Sequence, residues 1–377
     1  MAPAAPPPAE KSLWRAGPYI LVWMAVSISL IFMNRGIVKT MGCPAFLTAW
    51  HMAVSSVLVR ALRCVAPPRL GLFSEERLEV SLQTWLTKLL PIAALFSTSL
   101  AMGNRAYLYS SVAFIQMMKA SHAVMTYLLN ALVGAELFTW NKLRIVILVC
   151  CGVVLAVTGE LHFRMVGFLC QSLSSVSECA RIVLIGQLLN KSGLKMDPLT
   201  AISYYAPLCL VFLVPLALVT EMPSDWGAFA EDLQREVGFC WLLLNGLVAF
   251  TLNVFVVLLI DATSPVVFVL CGIMKDVALV VGSVVVLHQA VALQQIVGYA
   301  AAVVGIQLFN LVSRNQDELE AKGLVRGSWD VVSRWLAPEQ AKADEMGELS
   351  NHKDVLSESL ASGSTRAGSP LAGEPLE

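Results

Sequence analysis

Ten apolar runs set the limits on what this chain can fold into. Each is close to the ~20 residues that an α-helix needs to cross a hydrocarbon core. They lie at about 17–37, 44–65, 88–108, 111–134, 143–160, 164–189, 198–220, 237–260, 264–287 and 292–312. Only 14% of the residues are charged and 57% are hydrophobic, against about 25% charged in an ordinary soluble domain. A mean hydropathy of +0.70 means that lipid has to cover most of these runs. The expected fold is an all-α membrane protein of ten transmembrane helices, with the bilayer as its main partner. A net charge of −1 supplies no field for nucleic acid.

The first run is longer than a signal-peptide core and has no small-residue cleavage site, so it reads as a retained span. Residues 1–16 are too poor in Arg and Ser for a transit peptide and are expected to be disordered. Residues 313–377 are rich in Glu, Ser, Gly and Pro and cannot bury a core, so a mostly disordered cytoplasmic tail is expected. Within it, Trp329, Val332 and Trp335 could share one face of a short interfacial helix. Connections are short except at 66–87 and 221–236; the second carries Glu221, Asp225, Glu231, Asp232 and Glu236 and reads as a solvated acidic loop. Ten spans place both termini on one side. The excess of Lys and Arg, from Lys11 and Arg15 through Arg60, Arg63 and Lys142 to Lys195, makes that side cytoplasmic.

Several chemistries are missing from the sequence. The nine cysteines are scattered without a CxxC pair, and the five histidines have no ligand spacing, so neither a metal nor another cofactor is expected. There is no GxSxG, HExxH or Walker loop, so the chain reads as neither an enzyme nor an ATP-driven pump.

The two halves echo one another. The stretch from Ser111 to Lys119 (SVAFIQMMK) is similar to the stretch from Pro265 to Lys275 (PVVFVLCGIMK). Each lysine falls in the fourth span of its half, taking 17–160 as one five-helix repeat and 161–312 as the other. Because five is odd, the second unit must sit upside down relative to the first, a frequent transporter plan with its site near the midplane.

An ammonium at mid-bilayer costs ~3 kcal/mol, so Lys119 and Lys275 are expected to face a cavity or a partner. Asp276 adjoins Lys275, but neighbouring helix positions point about 100° apart, and Asp276 is expected to face elsewhere. Lys119 belongs to a polar stripe with Gln116, His122, Thr126 and Asn130, spaced 3, 3, 4 and 4 apart and therefore on one helical face. In the sixth span Glu178 and Arg181 stand three apart. Paired, they would be a structural motif; unpaired, Arg181 would present a planar donor to a phosphate. Asn104, Asn245 and Asn253 either bind hydroxyls or tie helices together, and the tie is favoured for Asn245 and Asn253. Cations gathered in a cavity imply an anionic cargo and a counter-anion. An empty, unbalanced site resists reorientation, so exchange follows.

At this point the chain resembles the triose-phosphate/nucleotide-sugar translocators of the drug/metabolite transporter superfamily, over about residues 17–312. The resemblance rests on Ser111–Lys119, on Ser177–Ile185, on Asn253 ahead of Ser264-Pro265, and on Gly272-Ile-Met-Lys275-Asp276-Val277. The plant-type sugar phosphate/phosphate translocators with a Lys-Asp pair are most similar, through Gln187-Leu-Leu and Gly193–Pro198. The resemblance implies two inverted five-helix repeats, antiport, and a substrate phosphate held at positions matching Lys119, Arg181 and Lys275. Asp276 stands where plastid members carry an arginine, and Leu252 where they carry a tyrosine.

The function expected is therefore exchange of a phosphorylated sugar or nucleotide sugar for phosphate or a nucleoside monophosphate. The substrate-facing candidates are Lys119, Lys275, Arg181, His122, Asn253, Asn104 and Thr126. The alternatives are export of another small metabolite, or a non-transporting scaffold or receptor acting through the tail. The Golgi or another endomembrane is expected rather than a plastid envelope. The sequence is silent on oligomeric state, which leaves a homodimer open.

Overall fold

The computed structural model describes residues 13–65, 83, 85–136, 138–192, 198–221, 225–262 and 265–314. Among these there are only helices. They are α1 (Leu13–Met41), α2 (Pro44–Val65), a π-helical turn (Trp85–Leu89) running into α3 (Leu90–Tyr109), α4 (Val112–Lys119), α5 (His122–Leu132), α6 (Trp140–Thr158) and α7 (Met165–Ser192). Next come α8 (Pro198–Thr220), α9 (Trp226–Glu236), α10 (Phe239–Ala262), α11 (Pro265–Val285) and α12 (Leu293–Arg314). The chain divides into Met1–Ile306 and Gln307–Glu377. Of the second unit only the closing turns of α12 are described, so the tail with Trp329, Val332 and Trp335 lies outside the described residues.

Among the described residues eight helices are long and apolar enough to cross a membrane. Their outward faces carry large exposed apolar side chains such as Leu21, Val57, Val154, Val211 and Val304, which only lipid would cover at this density. Helices start and stop where the chemistry dictates. Pro44, Pro198 and Pro265 open α2, α8 and α11, where a missing N–H costs nothing. Gly42, at φ 69°, reverses the chain between α1 and α2, and its N–H donates to Val38 O at 2.9 Å. Ser264, the expected cap of α11, lies outside the described residues.

Two expectations change. The fourth run is not one continuous helix. α4 ends at Lys119 and α5 starts at His122, with Ala120 N–H donating to Met117 O at 3.2 Å and Ser121 N–H to Met118 O at 3.1 Å. These tighter i→i+3 bonds overwind the chain there. Nor is the 221–236 segment simply solvated. Asp225 caps α9, its Oδ1 accepting from Gly227 N–H at 2.9 Å and Ala228 N–H at 3.2 Å. Phe229 meets the Phe46 ring edge-on at 5.4 Å. The Glu221 carboxylate accepts from Ala45 N–H and Phe46 N–H, each at 2.8 Å. It thereby satisfies two orphan donors at the start of α2. Burial raises the Glu221 pKa, and those two hydrogen bonds work against the rise.

The packing is extensive between α3 and α7, α2 and α8, and α1 and α10, and α4 packs on α11. Small residues let the backbones approach. Ala49, Ala93, Ala101 and Ala206 line the α2–α3–α8 seam. Gly152 of α6 and Gly298 of α12 leave no room for a Cβ; one built at Gly298 would sit 2.5 Å from Ala156 N.

Candidate functional site

The sequence candidates fall into two groups joined by a charged pair. Lys119 and Lys275 come from packed helices, α4 and α11. Asp276 lies within electrostatic range of His122, Tyr107 and Tyr299, and Lys119 within range of His122. Lys275 does not stand alone. Its Nζ is 3.2 Å from Asp276 Oδ1 and 5.6 Å from the centre of the Trp23 ring. The expectation that Asp276 faces elsewhere is corrected: a four-carbon lysine stem spans the arc that separates adjacent Cβ atoms. For Lys119 no carboxylate partner is found among the described residues.

His122 opens α5, and its Nε2 sits 2.8 Å from Ser175 Oγ on α7, which also accepts from Gln171 Nε2 at 3.1 Å. Thr126, one turn on, is half-buried. Glu178 and Arg181 are paired. Arg181 Nε and Nη2 donate to the two Glu178 oxygens at 3.1 and 2.5 Å, and Ser99 Oγ donates to Glu178 at 3.2 Å. The fork-to-fork pair uses two of the guanidinium's five N–H donors, so of the two alternatives for this motif the paired one is observed. The Arg181 guanidinium also lies 4.5 Å from the centre of the Phe96 ring.

Phe96 links this region to a second one. It lines a cavity of about 180 Å³ enclosed by α1, α2, α3, α8 and α10, whose polar lining is Asn34, Thr48, His51, Ser55, Asn104 and Asn253. Asn104 and Asn253 are the two sequence candidates that reach it; neither lysine does. Asn104 Nδ2 donates to Thr48 Oγ1 at 2.9 Å, and Thr48 Oγ1 donates to Pro44 O at 2.8 Å. Asn253 Nδ2 donates to Ala249 O at 3.0 Å.

Sequence reasoning missed Asn34, Thr48, His51 and Ser55. The signal was there: Thr48, His51 and Ser55 are spaced 3 and 4 on α2, the same rule that picked out the stripe at 116–130. Asn245 proves to be the expected tie. It is fully buried, its Nδ2 donates to Asn34 Oδ1 at 2.9 Å, and its Oδ1 accepts from His51 Nε2 at 2.5 Å. With the Asn245 amide nitrogen committed to Asn34, its oxygen faces His51, so Nε2 is the ring nitrogen that carries hydrogen.

Among the described residues no group of His, Cys, Asp or Glu is arranged to hold a metal. The described residues thus hold two packed lysine-bearing helices, α4 and α11, and a separate neutral polar cavity.

Comparison with known proteins matches residues 14–310 to the Triose-phosphate Transporter family. Three relatives from Arabidopsis thaliana, each named "Probable sugar phosphate/phosphate translocator", are similar over most of their length. One is 32% identical over 303 residues, covering 78% of this chain and 77% of the relative. A second is 31% identical over 303 residues, covering 78% of each. A third is 32% identical over 300 residues, covering 78% and 82%.

Proposed function

Because this chain belongs to the triose-phosphate transporter family, we propose that it is an antiporter exchanging a small phosphorylated sugar for inorganic phosphate. The observation that carries the reading is Lys119. It is a cation on an interior helix with no carboxylate partner among the described residues. Left empty in lipid it would cost ~3 kcal/mol; an arriving phosphate removes that cost and is attracted by Lys275 as well. The pairing of Lys275 with Asp276 lowers the net charge of the site. That favours an anion whose charge is confined to one phosphate, and phosphate as the counter-substrate. The requirement for exchange follows from the same charge: an unbalanced cation does not cross the membrane readily without its anion. Arg181, held by Glu178, acts here by positioning Phe96 rather than by gripping phosphate. His122 and Thr126 line the approach to Lys119.

The packing supports the inverted-repeat plan of ten spans, with α4 and α5 together as the fourth. Exchanging α1 with α7, α2 with α8, α3 with α10, and α4–α5 with α11 maps the α3–α7 contact onto α1–α10. It also maps α3–α8 onto α2–α10, α2–α3 onto α8–α10, and α5–α7 onto α1–α11, while α2–α8 and α4–α11 map onto themselves. The α1–α3 and α1–α2 contacts depart from this rule. Lys119 and Lys275 then occupy equivalent positions on the self-paired helices.

The distribution of basic residues supports cytoplasmic termini, and an endomembrane such as the Golgi is the compartment proposed. The test is uptake of labelled sugar phosphates and nucleotide sugars into proteoliposomes preloaded with phosphate or left empty. Wild type should take up a sugar phosphate only into loaded vesicles, and Lys119→Ala and Lys275→Ala should abolish uptake while still folding. Wild-type rates in both variants would overturn the reading.

A further inference from the structure

We infer that the neutral cavity between α1, α2, α3, α8 and α10 is a subsite for the hydroxylated carbon skeleton of the substrate, with Ser55 as a direct contact. The inference rests on the sugar-phosphate reading above and specifies which part of the substrate goes where.

The first observation is what the cavity lacks. Among the described residues its polar lining contains no Lys or Arg, so a phosphate placed there would be desolvated without a compensating charge. The second is the polarity of the groups it offers. Asn104 and Asn253 each commit their amide nitrogen, one to Thr48 and one to the Ala249 carbonyl, and Thr48 commits its proton to Pro44 O. Each of these asparagines keeps its second amide N–H and its carbonyl oxygen, a donor and an acceptor without net charge. Neutral donors and acceptors side by side suit carbon-bound hydroxyls, which both donate and accept, and leave a phosphate's charge uncompensated. A polyol skeleton fits that demand, and a phosphate does not.

The third observation points to a ligand directly. Ser55 lines the cavity, is 1% exposed, and its Oγ has no hydrogen-bond partner among the described residues. Other hydroxyls on these helices are satisfied by their own backbone. Thr48 donates to Pro44 O, Ser97 to Ala93 O and Thr98 to Ala94 O, all four residues back. Ser55 makes no such bond. Ser56 is also unsatisfied but does not line the cavity. A buried hydroxyl that is both donor and acceptor, beside two partly used amides, is what a chain of carbon-bound hydroxyls would complete. Phe96 closes one wall and has the Arg181 guanidinium against its ring, so the cavity abuts the charged pair of α7.

The experiment compares Ser55→Ala with wild type in two assays on the full-length protein. One is the KM for a labelled sugar phosphate relative to the KM for phosphate in phosphate-loaded proteoliposomes. The other is the melting temperature of the ligand-free protein in detergent. Loss of one hydroxyl contact should raise the sugar-phosphate KM about three- to tenfold more than the phosphate KM. The ligand-free melting temperature should stay level or rise, because an unsatisfied buried group has been removed. An unchanged KM ratio overturns the subsite and leaves the antiport reading standing. A lowered melting temperature with both KM values shifted alike makes Ser55 structural and overturns it too. A wild type that exchanges neither ligand overturns the antiport reading and the subsite together.

Discussion

The contact between α6 and α12 allows a sharp prediction, because its close approach is between backbones. A Cβ at Gly298 would lie 2.5 Å from Ala156 N and 2.6 Å from Gly152 O, whereas ordinary contact for a Cβ begins at 3.4 Å. Gly298→Ala therefore needs about 0.9 Å of separation at that point, and neither obstacle is a side chain that could rotate away. A radial gap of ~0.5–1 Å already forfeits a quarter to a half of each dispersion contact on the lining, and overpacking costs ~1–3 kcal/mol. The backbone obstacle puts this case at the upper end. Alanine regains up to ~1 kcal/mol of helix propensity, leaving a net loss of roughly 2 kcal/mol. Gly186→Ala on α7, with no atom within 4 Å of the added methyl, keeps the propensity gain without the clash. The two variants should therefore differ by about 3 kcal/mol in opposite directions from wild type. Thermal unfolding in detergent measures this, with Gly298→Ala melting lower than wild type and Gly186→Ala level or higher. Gly152→Ala should resemble Gly298→Ala, being 2.7 Å from Ala302 N and Gly298 O. The double variant should cost less than the sum, because one opening of the seam accommodates both methyls. A Gly298→Ala protein that melts with wild type would refute the reasoning.

Three further outcomes are expected. Asn245→Leu should lower stability by about 1–3 kcal/mol, since it leaves the His51 N–H and the Asn34 oxygen unsatisfied; an unchanged melting curve would count against the tie. Arg181→Gln alone should be strongly destabilising, by about 3 kcal/mol, because it strands the Glu178 carboxylate, and adding Glu178→Gln should recover most of the loss. Burial raises the Glu160 pKa above its usual value, with the hydrogen bond from Gln295 Nε2 opposing the shift. Its contribution to stability is thus full below the ordinary carboxylate pKa and is lost as pH climbs through the raised one. The melting temperature should fall over that interval, and Glu160→Gln should remove the fall.

Most of the helices were legible because a spanning helix has to be apolar along its whole length, and length alone reveals it. What escaped depended on details that length does not report. The spacing of Gln116, Lys119, His122 and Thr126 fits an unbroken helix as well as it fits the observed turn at Ala120 and Ser121, because the overwound step shifts the face only slightly. Treating side chains as rods fixed at the Cβ angle separates Lys275 from Asp276, and a long flexible lysine stem does not obey that rule. Glu221 was grouped with its exposed neighbours since charge count alone does not reveal that it meets the start of α2. Asn104 and Asn253 stand out in the sequence as isolated polar residues in apolar runs, whereas the α2 face that completes their cavity does not. Its Thr, His and Ser carry no net charge and so raised no energetic alarm. Which hydroxyl goes unsatisfied is a tertiary fact, and Ser55 could not have been distinguished from Ser56 by sequence.

The hydrogen-bonded triad of Asn34, Asn245 and His51, with its neutral amides, has a bearing on how the frame survives the transport cycle. A carrier's interior alternates between flooded and dry. The strength of an ion pair swings severalfold between those conditions, because Coulomb energy scales inversely with the local dielectric. Amide–imidazole bonds, with no net charge on the amides, vary far less. The tie that joins α1, α2 and α10 therefore holds at similar strength whether the cavity is wet or occluded. The Glu178–Arg181 and Lys275–Asp276 pairs weaken each time water enters. Hydration therefore weakens the charged contacts while leaving the neutral tie at similar strength.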